Sequence, residues 1–110
     1  MSRKASGLKA WAIQRLTAIY IGVFSLYLVL VLLFAAPDDY TAWRAWLGGP
    51  VVSVALLLYV VSVMMHAWIG VRDVLIDYVH PIAIRATLLG VVALSLVAMG
   101  LWAVSYTHLT

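Results

Sequence analysis

Residues 45–71 read AWLGGPVVSVALLLYVVSVMMHAWIGV, 27 residues between Arg44 and Arg72 without a Lys, Arg, Asp or Glu. About 20 apolar residues in a helix cross a hydrocarbon core of roughly 30 Å, so this stretch predicts a membrane span. It contains His66. An ionisable side chain inside a span is costly and points to function, and imidazole is a common axial ligand of haem iron. Directly after the span come Arg72, Asp73, Asp77, Tyr78, His80 and Pro81. A ligand candidate beneath a polar rim implies a redox or proton-linked site near a membrane surface.

The composition agrees with lipid as the solvent. Of 110 residues, 66% are hydrophobic and only 10% charged, more apolar surface than a soluble domain of this size can hide. The chain is therefore expected to form one small membrane unit over residues 1–110. With no cysteine, disulfides, iron–sulfur ligation and zinc–thiolate sites are excluded for this chain. The net charge of +3 comes from few basic residues that flank apolar runs, so it reads as membrane topology and not as nucleic-acid binding.

Three apolar stretches, at about 16–36, 50–71 and 86–105, are separated by short polar connections. Backbone groups in lipid are satisfied only in helices or closed barrels, and three stretches of helical length exclude a barrel. The expected fold is all-α with three transmembrane helices. Residues 1–15 are basic and precede an apolar run, as in a signal peptide, but the run from 16 to 37 is too long for a signal core and no clear cleavage pattern follows. It is expected to be a retained span. The connection 37–49 carries Asp38, Asp39, Arg44 and the loop signals Pro37 and Gly48-Gly49. In the connection 72–85, Pro81 should end or bend the second helix near His80. Residues 105–110 break the apolar character; they are read as a short polar tail and assigned no function.

Basic residues decide the orientation. Arg3, Lys4, Lys9 and Arg15 precede the first span; Arg72 and Arg85 share their side in a three-span topology, and only Arg44 lies opposite. This bias places the N-terminus in the cytoplasm. Trp11, Trp43, Trp46 and Trp102 fall near span ends, as interfacial aromatics do.

His66 is six residues before Arg72, roughly 9 Å along a helix rising 1.5 Å per residue. Gly70 follows one turn later and could admit a flat macrocycle, and Asp73 and Asp77 fall near the same face at i+7 and i+11. The competing reading is a histidine that bonds a neighbouring helix and binds nothing; spacing alone prefers neither. A second axial ligand is missing: His80 lies beyond the span, His108 at the opposite end, and Met64 and Met65 adjoin His66. A two-ligand haem would need another chain. Arg15 could pair with a propionate, or snorkel to lipid phosphate and fix topology; residues alone favour the second. Tyr78 could donate a hydrogen bond to a quinone carbonyl with Asp77 in support, or be an interfacial tyrosine beside a solvated carboxylate.

Taken together, His66-Ala-Trp-Ile-Gly70, Asp77-Tyr78-Val79, Pro81, Arg85 and Arg15-Leu-Thr-Ala18 resemble the hydrophobic membrane anchor of bacterial succinate dehydrogenase, the smaller D-type subunit. The likeness covers most of 15–102 and is densest in 66–85. It implies packing with a second three-helix anchor, the cytochrome b-type subunit, and attachment of a flavoprotein and an iron–sulfur subunit to the cytoplasmic face of the inner membrane. It further implies a haem b shared between the two anchors and ubiquinone as electron acceptor, and is compatible with trimers of the four-subunit complex. On this likeness His66 matches the axial haem ligand, Arg15 a residue near the propionates, and Tyr78 with Asp77 the quinone site. Lys9 stands where some relatives have a histidine that holds a propionate, and His80 where some have lysine; neither is assigned a role. The alternatives are an anchor of fumarate reductase or another quinone enzyme and, in a different class, a small transport or structural membrane protein without haem. That last reading leaves the grouping of His66, Asp77 and Tyr78 to chance.

Overall fold

The computed structural model describes residues 2–109, with side chains from Gly7 onward. Four helices follow in order: α1 Ser2–Phe34, α2 Tyr40–Gly48, α3 Pro50–Tyr78 and α4 Ile82–His108. Three segments, Gly7–Phe34, Pro50–Tyr78 and Ile82–His108, are long and apolar enough to cross a membrane. This is the expected all-α, three-span architecture of a multi-pass membrane protein, and the described residues contain no strand.

The helix ends follow local chemistry. Pro50 opens α3 in its first turn, where its missing N–H has no intrahelical partner to lose. His80 precedes Pro81, and a pre-proline residue is driven out of the α region. Accordingly α3 stops at Tyr78, Val79 is extended at φ −110°, ψ 105°, and Pro81 caps α4 in an extended conformation.

Three boundaries differ from the sequence expectation. α1 starts at Ser2 instead of 16: the basic N-terminal stretch has no helix breaker and simply extends the span. The connection 37–49 is not all loop. Asp39 accepts a hydrogen bond from the Ala42 N–H at 2.8 Å, an N-cap that starts the nine-residue α2. Trp43 and Trp46 pack edge to face, 5.8 Å between centroids, and Trp46 lies 6.5 Å from the Tyr27 ring. Finally, residues 105–108 continue α4. Thr107 donates to the Ala103 carbonyl at 2.8 Å, and His108 Nε2 reaches the Ser53 carbonyl at 2.7 Å, joining the end of α4 to the start of α3.

Among the described residues α3 packs against both α1 and α4, whereas the backbones of α1 and α4 do not approach one another closely. The spans thus form an open layer, not a closed bundle. Among the described residues only Phe24 and Ile69 are buried apolar residues. Lipid offers no hydrophobic drive between helices, so packing and interhelical hydrogen bonds must hold the seams. At the α1–α3 seam the Phe24 ring sits 4.9 Å from Tyr59 and 5.8 Å from Tyr20. Ser25 and Tyr59 share a hydrogen bond at 2.8 Å, and the Tyr20 hydroxyl donates to the Ala55 carbonyl. At the α3–α4 seam a Cβ on Gly100 would come within 3.3 Å of Met64 Cγ. Beside that contact lies an apolar notch of 440 Å³ lined by residues that include Met64, Trp68 and Leu96.

Phe24 and Phe34 provide an internal comparison, because Phe34 is 81% exposed. Phe24→Ala should destabilise the α1–α3 pair by about 1–2 kcal/mol. That is less than the roughly 3–5 kcal/mol of water-soluble cores, because lipid or detergent removes the transfer contribution and leaves the packing loss. Phe34→Ala should stay within about 0.5 kcal/mol. Denaturant unfolding in micelles measures both.

Candidate functional site

His66 projects from α3 toward α1. Its Nδ1 lies 3.1 Å from Thr17 Oγ1. The same oxygen is 2.7 Å from the Ile13 carbonyl and 3.2 Å from the Gln14 carbonyl, so the threonine side chain is tied down against its own helix. The antiparallel register of α1 and α3 creates this meeting: Gln14 faces Gly70, Thr17 faces His66, and the Phe24–Ser25 turn faces Tyr59.

Outside the contact the surface is concave. A groove of 460 Å³ is bounded by Gln14 from α1 and by residues of α3 including His66, Ala67, Gly70 and Val74. Gly70 occupies the place expected of it. A Cβ there would lie 3.6 Å from Gln14 Nε2, an ordinary contact, so glycine keeps the groove open without being required by the backbone. Gln14 Oε1 is buried and has no hydrogen-bond partner among the described residues. Such an atom usually has a partner, so this oxygen is an unspent acceptor at the edge of the groove.

A second, more polar pocket of 370 Å³ lies nearer the helix ends, between Gly7, Trp11 and Gln14 of α1 and Ile69, Arg72 and Asp73 of α3. Arg72 and Asp73 form the only ion pair among the described residues, at 3.1 Å. Asp73, placed by spacing on the His66 face, is engaged here instead.

The remaining candidates are not gathered at His66. Arg15 is exposed, and its guanidinium stacks over Trp11, 5.7 Å from the ring centroid. One residue on from Gln14, it is turned by about 100° around α1 and is not among the residues that line the groove. Asp77 is exposed and Tyr78 is 77% exposed at the end of α3. Neither makes a hydrogen bond among the described residues. Twelve residues separate Tyr78 from His66, about 18 Å along the helix axis, so the structure contains two distinct places, one within the span and one at its rim. No group of three or more His, Asp or Glu residues that could hold a metal ion occurs among the described residues; His66 stands as a single imidazole.

Thr17 and Gln14 are the neighbours that sequence reading overlooked. Their signal was present: two hydrogen-bonding side chains at i and i+3 in an apolar helix, at a depth matching His66 once α1 and α3 run antiparallel.

Known proteins bear out the resemblance. The profile of the family described as "Succinate dehydrogenase/Fumarate reductase transmembrane subunit" matches residues 1–102. A succinate dehydrogenase hydrophobic membrane anchor subunit of Coxiella burnetii is 32% identical over 100 residues, covering 91% of this chain and 87% of the relative. Subunits of the same name from Rickettsia conorii and Rickettsia felis are 36% and 35% identical, covering 81% and 83% of this chain and 71% and 76% of the relatives. With a match of this length in the profile and in each relative, the chain belongs to the family of transmembrane subunits of succinate dehydrogenase and fumarate reductase.

Proposed function

We propose that this chain is the hydrophobic membrane anchor of a succinate:quinone oxidoreductase in a bacterial inner membrane, with its N-terminus in the cytoplasm. In this reading it pairs with a cytochrome b-type anchor and holds the flavoprotein and iron–sulfur subunits on the membrane. The observation that carries it is His66. One ring nitrogen is engaged by Thr17, the other makes no hydrogen bond among the described residues, and the ring borders an open groove flanked by Ala67 and Gly70. An imidazole with one available nitrogen beside small residues would fit a haem b held jointly with the partner anchor. When bound, that haem supplies a one-electron centre within the membrane.

Each residue then has a task. His66 ligates the iron. Arg15, one residue along α1 from Gln14, would offer charge-assisted hydrogen bonds to a propionate. Tyr78 donates its phenolic proton in a hydrogen bond to a quinone carbonyl, and Asp77 accepts or relays protons from water at the exposed end of α3. The relatives' names favour succinate oxidation over fumarate reduction, and the ratio of the two turnovers in the purified complex tests that preference.

The absence of cysteine makes orientation directly measurable. In intact cells an impermeant maleimide should label Asp38→Cys and leave Ile82→Cys unlabelled until the membrane is opened; the reverse pattern overturns the orientation. His66→Ala should abolish the bis-imidazole low-temperature spectrum of the complex, and an unaltered spectrum refutes the ligand assignment. Tyr78→Phe should depress quinone reduction at least tenfold while succinate oxidation with an artificial acceptor stays near wild type, since each tenfold corresponds to about 1.4 kcal/mol, the scale of one hydrogen bond. Retention of full quinone reductase activity removes Tyr78 from the site.

A further inference from the structure

We propose that Thr17 is a positioning residue that fixes the tautomer of His66, holding the proton on Nδ1 and leaving the Nε2 lone pair for iron; this rests on the haem reading above. The argument counts protons. A threonine hydroxyl has one hydrogen and can accept through its remaining lone pairs. Carbonyl oxygens only accept, so the 2.7 Å contact from Thr17 Oγ1 to the Ile13 carbonyl and the 3.2 Å contact to the Gln14 carbonyl consume that hydrogen. The 3.1 Å contact to His66 Nδ1 must then run the other way, with Nδ1–H donating to Oγ1. In the opposite assignment the hydroxyl would donate to Nδ1. That would leave two oxygens facing each other at 2.7 Å without a proton between them, and would place the ring hydrogen on Nε2, where it blocks coordination.

Thr17 therefore acts on the metal site through an outer-shell hydrogen bond, the way ligating histidines are commonly oriented. The bond also makes the imidazole a better electron donor, which favours ferric over ferrous iron. The back-bond to Ile13 locks the threonine rotamer, so the acceptor is in place before any cofactor binds. The role belongs to the hydroxyl; the methyl group is dispensable to it.

The test is redox titration of the haem in the assembled complex carrying Thr17→Val, Thr17→Ser or no substitution. Thr17→Val keeps the volume and removes the acceptor. Its midpoint potential should shift upward, with altered low-spin resonance positions, while Thr17→Ser should match wild type. A potential is read per haem, so a lower yield of assembled complex does not obscure it. Unchanged potential and resonances in Thr17→Val overturn the proposal, as does an equal shift in Thr17→Ser, which would assign the effect to methyl packing. His66→Ala distinguishes the two levels. If it loses the bis-imidazole spectrum while Thr17→Val is silent, only the role of Thr17 fails; if it keeps that spectrum, the haem assignment and the role of Thr17 fall together.

Discussion

A bilayer core provides no hydrogen-bond partner for an exposed peptide group, and each polar atom in this chain answers to that constraint. It explains why the spans are uninterrupted helices and why the prolines sit only at helix boundaries. It also explains how the hydroxyls are used. Thr17, Thr87 and Thr107 each donate to the carbonyl four residues back, so they cost little inside an apolar helix. Ser25, Tyr59 and Tyr20 instead spend their hydrogen bonds across the α1–α3 seam, where lipid supplies no hydrophobic drive. Against this background Gln14 stands out, with a buried acceptor left over beside the groove.

The same constraint decides what could be read in the sequence. The number of spans, the histidine in the middle one and the break at His80-Pro81 depend on position along the chain, and composition reports position well. The azimuth of each side chain was not legible, because helices that are apolar on all sides show no polar face to compare with a core. Hence His66 was found and its partner Thr17 was passed over, although both stand in plain view. Arg15 shows the same limit: its place at the start of the first apolar stretch follows from position, while its turn toward Trp11 depends on which face of α1 meets α3. α2 was missed for another reason. Nine residues containing Arg44 and ending in glycine resemble a loop by composition, and the helix depends on one capping carboxylate, Asp39.

The open layer has a consequence for chemistry. A closed three-helix bundle would bury His66 on every side, and its free nitrogen would have to be satisfied from within the chain. Here α3 is flanked by α1 and α4, whose backbones do not approach one another closely among the described residues, so α3 keeps surfaces that these helices leave uncovered. The two concavities along it differ in kind. The notch against α4 is lined almost wholly by apolar atoms and needs no partner but lipid or another apolar helix. The groove against α1 joins an imidazole, an unpaired amide oxygen and the small side of Gly70. Leaving the imidazole to lipid would cost a hydrogen bond that neither acyl chains nor α4 can replace. The groove, more than the notch, is therefore the concavity that has a polar group, the ring of His66, to offer to whatever covers it. That asymmetry gives a use to a histidine within a span whose charged residues, Arg72, Asp73 and Asp77, are confined to the rim.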